Sequence, residues 1–341
     1  MIKMHSYGKS CSSLIAVLIA ITISCKKNQA SVTNDVIFKQ FFAGDLANKK
    51  IAVFGNSTVA SATEFFLDLS AYSQMGKALY GLPNNPTTYF SASGYINHIG
   101  SIYNEGHDGY DLGTMLQNGM VDSLVARKYD LIIVRGPIIN DVRLGNVGLD
   151  SAKVLIKSLL LRIHIKLPNS CILLMTENSL LSNDKKGFIV SIPVTEKAVD
   201  GSASGIENIG KHTISILSTP TSFLNGGSVY INKGLLDEEL VNISNLSNNS
   251  FAANFTKLHL RGFTVTATLE SASQAYTTIL RQALLPFSKT YSNLAFLDLQ
   301  QLEYGINALP SNPLMLDALH PNVDGQKAEA KIVGDYISAG Q

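Results

Sequence analysis

The feature that most constrains the fold of this chain is a set of short, largely apolar runs. They are Ile51-Ala-Val-Phe54 before Gly55, Ile99–Tyr103 before Asn104, Leu131-Ile-Ile-Val134 before Arg135, Cys171–Met175 and Leu294-Ala-Phe-Leu297. Runs of this length without regular polar alternation suit strands buried on both faces. Helical spacing fills the gaps: Phe65, Phe66, Leu69 and Tyr72 within 58–78, Met115, Leu116, Val121 and Leu124 within 112–126, and Val154, Leu155, Leu159 and Ile163 within 151–165. Two further helical stretches cover 274–287 and 324–337. Strands alternating with helices predict an α/β fold in which a five-stranded parallel sheet lies between two helical layers. The connections are expected to be right-handed.

One stretch interrupts the alternation. Residues 183–269 are rich in Ser, Thr, Asn and Gly and contain strand-like pieces at Phe188–Ile192, Ser228–Ile231 and Phe263–Ala267. They are expected to form a β-rich insert dividing a core of residues 49–182 and 270–341. One large domain carrying such an insert fits the 341 residues. The 27 basic and 26 acidic residues leave a net charge of +1. No strong field or dense basic run would attract nucleic acid, which is not expected as a partner.

The first residues read as an export signal. Lys3 and Lys9 precede an unbroken apolar and Thr stretch, Leu14–Ile23, followed by Ser24-Cys25 and Lys26-Lys27. The apolar run is too short to span a bilayer and suits a signal-peptide core. Residues 1–25 are expected to be that signal. A small residue directly before Cys25 resembles a bacterial lipobox, although Thr22 stands where that pattern usually has Leu. Cys25 is therefore the expected lipidation site, with 26–48 a tether containing a short helix around 38–46. The localisation that follows is the cell envelope, with contact to the membrane by the lipid anchor only. Cys11 leaves with the signal, so Cys171 would remain alone in the mature chain, as a core thiol rather than a nucleophile.

Four polar motifs follow strand or loop ends. In Val53-Phe-Gly-Asn-Ser-Thr58, Ser57 sits just past the first strand, where it could act as a nucleophile or merely cap a helix. Asn104-Glu-Gly-His-Asp-Gly109 places two glycines past the second strand, for close backbone approach or an ordinary turn. Arg135-Gly-Pro-Ile-Ile-Asn-Asp-Val142 offers the Asn140 amide to a developing negative charge, unless Asn-Asp serves only as a cap. In Asp317-Ala-Leu-His-Pro-Asn322, the Asp-x-x-His spacing lets a tight turn bring the carboxylate onto Nδ1 and leave Nε2 free to take a proton. In an open α/β sheet such ends converge on one crevice at the switch point.

This order, Ser then Gly then Asn then Asp-x-x-His, resembles the SGNH (GDSL-like) hydrolase family over most of the mature chain outside the insert. The resemblance implies a three-layer flavodoxin-like fold. It also implies a site in which Ser57 is the nucleophile, His320 the base and Asp317 its orienting partner. Ser57, Gly109 and Asn140 would supply the oxyanion hole. Two positions depart from the pattern: Asn56 replaces the usual Asp, and Ile138 occupies the usual Gly of the third block.

Other chemistries lack a signature. There is no Gly-x-Ser-x-Gly elbow and no Gly-x-x-x-x-Gly-Lys-Ser/Thr loop. His98, His107, His164, His212 and His259 form no recognisable metal pair, so neither metal nor organic cofactor is expected. The expected activity is hydrolysis of short-chain acyl esters, O-acetyl groups on carbohydrate being the expected substrate. The alternatives are a non-catalytic surface lipoprotein that binds glycan or protein, and an acyltransferase.

Overall fold

The computed structural model describes residues 49–71, 88–90, 96–99, 102–143, 147–176, 196–198, 205–304, 314–317 and 319–338. The expected signal, Cys25, the tether and the Phe188–Ile192 strand lie outside them. No helix among the described residues is long and apolar enough to cross a membrane.

Strand β1 (Ile51–Gly55) leads into a single helical turn, α1 (Ser57–Ala60), and then α2 (Thr63–Ala71). The long helix expected from residue 58 is thus broken near Ser61. A hairpin of β2 (Thr88–Phe90) and β3 (Ile96–Ile99) precedes β4 (Ile102–Gly106). The expected second strand, Ile99–Tyr103, straddles two strands. His98 pairs with Tyr103 and Ile99 with Ile102, antiparallel. Gly100-Ser101 between them is the kind of two-residue glycine link that signals a hairpin. Helices α3 (Leu112–Gln117) and α4 (Met120–Ala126) replace the single helix expected over 112–126, the break falling at Asn118-Gly119.

Strand β5 (Leu131–Arg135) is followed by the short α5 (Ile139–Arg143), the long α6 (Leu149–Lys166) and β6 (Cys171–Met175). Then come six strands outside the main sheet: β7 (Glu196–Ala198), β8 (Gly210–Ser215), β9 (Ser228–Ile231), β10 (Glu239–Ser244), β11 (Ser250–Phe255) and β12 (Thr264–Ala267). Helix α7 (Leu269–Leu284), β13 (Leu294–Leu297) and α8 (Val323–Ser338) complete the core.

The main sheet runs β13-β6-β5-β1-β4-β3-β2, and its first five strands are parallel. Counting only those five in chain order gives 2-1-3-4-5, the flavodoxin-like arrangement. The chain therefore has the expected three-layer α/β fold, extended at one edge by the antiparallel β2–β3 hairpin. Every residue of β1, β5 and β6 is buried, which is why these strands carry continuous apolar runs. Cys171 lies in β6, buried, and burial pushes its thiol up to about 12. Helix α8 packs on α2, while α6 packs on α4 and α7. Right-handed crossovers put these two groups on opposite faces of the sheet.

The other six strands form an antiparallel sheet in the order β7-β12-β9-β10-β11-β8. Along β10 the pattern alternates, Val241 and Ile243 inward, Leu240 and Asn242 outward. This sheet shares one continuous apolar cluster with the main core. It is also tied to the start of α7, where Ser271 Oγ accepts the Ser228 N–H at 2.7 Å.

Candidate active site

The switch point of a 2-1-3-4-5 sheet lies between β1 and β5, and the loops leaving these strands are cross-linked there. Asn56 is fully buried, and its amide nitrogen donates to Gly136 O at 2.8 Å. Its amide oxygen accepts from Thr58 N at 3.0 Å and Thr58 Oγ1 at 3.1 Å, capping α1. The departure at Asn56 thus has a structural role: a carboxylate could accept from Thr58 but could not donate to a carbonyl. Ser57 opens α1 and is 7% exposed. Helix α1 rests directly on the end of β4, because a Cβ on Gly106 would lie 2.2 Å from Ala60 N. The His107 N–H donates to Gly55 O at 2.9 Å and carries the contact onward.

The Asp-x-x-His turn is built by its own backbone. Met315 and Pro321 form an isolated antiparallel bridge, and Leu316 N donates to His320 O at 2.8 Å. Inside this turn Asp317 Oδ1 accepts from Leu319 N at 2.7 Å and His320 N at 2.6 Å. Its Oδ2 lies 2.8 Å from His320 Nδ1. Burial alone would push the Asp317 carboxyl up. The His320 ring and the two backbone donors outweigh burial and hold it below the usual carboxylate range. An ionised Asp317 accepts the Nδ1 proton, so Nε2 presents its lone pair, 3.0 Å from Ser57 Oγ.

Two contacts hold the two ends of the chain in this register. Gln326 Oε1, on α8, accepts from Glu64 N at 3.0 Å and Phe65 N at 3.3 Å, capping α2. The Arg135 guanidinium, fully buried at the end of β5, donates to Thr58 O at 3.0 Å and pairs with Glu329 of α8 at 2.5 Å. It also lies 5.2 Å over the Phe65 ring. The sequence motif that contains Arg135 assigns it no role by itself. The available signal was a charge continuing a wholly apolar strand, which is tolerated only with a buried counter-ion.

Asn140 lies on α5, 3% exposed, and its Nδ2 donates to Tyr110 O at 2.8 Å. The amide thereby pins the loop that contains Gly109, leaving its second proton for another acceptor. Gly109 has a φ of 77°, and a Cβ there would meet nothing within 4 Å. The N–H groups of Ser57 and Gly109 donate to no group among the described residues. Asp141 accepts from Leu112 N at 2.8 Å and Gly113 N at 3.2 Å, so the acidic member of the Asn-Asp pair caps α3. Ile138, at the second departure, is fully buried in the core. His107 is half-buried and edge-on to Phe54, and burial pulls its pKa down against the opposing Glu105 charge. A cavity of about 370 Å³ lined by Asp122, Lys128 and Lys166 lies near the start of β5, away from these residues.

The fold and site together define a three-layer α/β protein with a Ser–His–Asp chain at the switch point of a flavodoxin-like sheet. The chain resembles GDSL-like (SGNH) hydrolases. No known family pattern matches it, and no curated protein does. Among solved structures it is similar to a peptidoglycan O-acetylesterase (TM-score 0.46, 11% identity, 92% of this chain and 97% of that one). It is also similar to the lipase/acylhydrolase from Enterococcus faecalis (TM-score 0.43, 11% identity, 85% and 96%). A third is a carbohydrate esterase family 3 protein from Talaromyces cellulolyticus (TM-score 0.41, 12% identity, 85% and 97%).

Proposed function

We propose that this chain is a serine esterase that removes short acyl groups, O-acetyl groups on carbohydrate foremost, through an acyl-enzyme on Ser57. The observation that carries this reading is the unbroken sequence Ser57 Oγ, His320 Nε2, His320 Nδ1, Asp317 Oδ2, with links of 3.0 and 2.8 Å.

In the first step Ser57 Oγ attacks the ester carbonyl and its proton passes to His320 Nε2. The imidazolium is stabilised by Asp317, which keeps its charge. The oxyanion is met by the Ser57 and Gly109 N–H groups and the free amide proton of Asn140. His320 then gives its proton to the leaving alcohol as the ester C–O bond breaks. In the second step water, deprotonated by His320, attacks the acyl-enzyme, and His320 returns that proton to Ser57 Oγ as its bond to the acyl carbon breaks and the acid leaves.

The carbohydrate substrate rests on the export signal read at the N-terminus and on the Asn-, Ser- and Thr-rich insert beside the core. The same reading has the enzyme in the cell envelope, held by acyl chains on Cys25. Loss of membrane association in Cys25→Ala tests that part.

The decisive experiment is turnover of p-nitrophenyl acetate by wild type and Ser57→Ala, with acetylated polysaccharides screened next. Loss of the nucleophile should lower kcat by at least about 10³-fold. Equal activity in the two proteins, or none in the wild type against any ester, would overturn the reading.

A further inference from the structure

Arg143 ends α5, three residues after Asn140, so both side chains project from the same side of that short helix. It is half-buried, and its Nε is shut off from solvent with no hydrogen-bonding partner among the described residues. No ion pair involving it is made among those residues either. Burial pulls the Arg143 guanidinium below its usual range, and the nearby negative charge of Asp317 opposes that only in part. Asp317 makes no hydrogen bond or ion pair to it among the described residues: Oδ1 accepts from two backbone N–H groups and Oδ2 from His320. A guanidinium stays charged, and its buried Nε–H is costly to leave without an acceptor unless something else supplies one.

We propose that Arg143 is the anion-binding residue of this site and selects esters that carry a carboxylate beside the scissile bond. This rests on the esterase reading. The planar guanidinium fork matches a carboxylate in two parallel hydrogen bonds. A phosphate monoester, mostly dianionic at neutral pH, would feel the Asp317 charge more strongly than a singly charged carboxylate does. The site therefore takes sugar acids or dicarboxylic half-esters in preference to phosphorylated ones. Arg143 acts here on specificity, since His320 and the oxyanion donors carry the chemistry.

Two matched ester pairs test this. Mono-(4-nitrophenyl) succinate against 4-nitrophenyl butyrate places the carboxylate on the acyl side. Acetoxybenzoate against its methyl ester places it on the alcohol side. In the wild type one carboxylate ester should show a higher kcat/KM than its neutral partner. Arg143→Gln should lower that preference by about tenfold or more, whatever it does to the neutral ester, and Arg143→Lys should restore part of it. No preference in the wild type, or a parallel fall on charged and neutral esters, would overturn the proposal.

Binding gives a readout that does not need turnover. Benzoate titrated into Ser57→Ala should bind at least tenfold more tightly than into Ser57→Ala/Arg143→Gln, and more tightly than inorganic phosphate. Equal benzoate binding by both proteins, or tighter phosphate, would sink the carboxylate assignment while leaving the esterase reading intact. If the Gln variant does not fold, the Lys variant and the wild-type preference still decide it.

Discussion

Arg135 and Glu329 meet at 2.5 Å with neither side chain exposed to solvent, joining the end of β5 to α8 inside the core. The pair matters beyond its own energy because Arg135 also holds Thr58 O and so the helical turn that opens with Ser57. Removing one partner of a buried pair leaves a charge that nothing compensates. Glu329→Gln should therefore cost about 3–5 kcal/mol of stability. It should also lower turnover, since α8 follows directly on the His320 turn. Replacing both partners, Arg135→Met with Glu329→Leu, should cost less than the two single changes added together. A double-mutant cycle by urea denaturation checks this, and strict additivity would show that the two charges are not coupled.

Asp317 should control which nitrogen of His320 carries the proton. In Asp317→Asn the side-chain oxygen is the atom suited to the Leu319 and His320 N–H groups, which turns the NH2 towards Nδ1. Nδ1 must then accept, and Nε2 carries a proton towards Ser57 and can no longer take one. Turnover should fall on the order of 10³–10⁴-fold with the fold retained. Stability should change as well. The Asp317 carboxyl sits below its usual range when folded, so it stabilises the protein above that range and loses the contribution as pH falls towards the folded value. The Asn variant should therefore show a shallower loss of stability on the acid side. A wild-type acid slope in the variant would contradict the assignment.

Asn56→Asp would restore the residue usual in the resembling family and should nonetheless harm this protein. The new carboxylate keeps the Thr58 bonds, loses the bond to Gly136 O and faces that carbonyl while fully buried. The expected cost is about 1–3 kcal/mol at neutral pH. The protonated acid can donate to Gly136 O, so the folded-state pKa should be raised. The penalty should then shrink as pH falls and grow as it rises. Denaturant midpoints of both proteins at pH 5 and pH 8 measure it, and a difference independent of pH would refute the argument.

Much of this was legible in the sequence because it rests on local pattern. Continuous apolar runs marked β1, β5, β6 and β13, and Asp-x-x-His marked a turn whose contacts span three residues. Misreadings arose where short-range signals competed. Ile99–Tyr103 looked like one strand because Ile and Tyr flank Gly100-Ser101, and the helical spacing across 112–126 hid the break at Asn118-Gly119. Arg135–Glu329 and Gln326 capping α2 join residues far apart in the chain, which no local pattern reveals. Nor did the family pattern show that Asn56 would donate to the neighbouring loop.

The antiparallel sheet has its own buried polar centre, and disrupting it should separate the stability of that sheet from chemistry at Ser57. His259 is buried among Phe255 and Phe263, with Nε2 2.8 Å from Glu239 and Nδ1 3.4 Å from Asp237. Glu239 also accepts from Thr256 N and Oγ1 and from Lys257 N, so it ties β10 to the chain leaving β11. Burial alone would push the Glu239 carboxyl up, and its bonds to His259 and Thr256 bring it below the usual range. His259→Leu keeps the bulk, removes the ring nitrogen that faces Glu239 and leaves that carboxylate with its Thr256 and Lys257 partners alone. The expected loss is about 3 kcal/mol, growing from acid pH towards neutral as Glu239 ionises. Turnover per folded molecule should stay near wild type, because none of the bonds lost belongs to the Ser57–His320–Asp317 chain. Urea unfolding alongside ester assays at pH 5 and pH 7.5 tests both halves. A large fall in turnover at unchanged stability would mean that this polar centre of the antiparallel sheet is coupled to the Ser57 site.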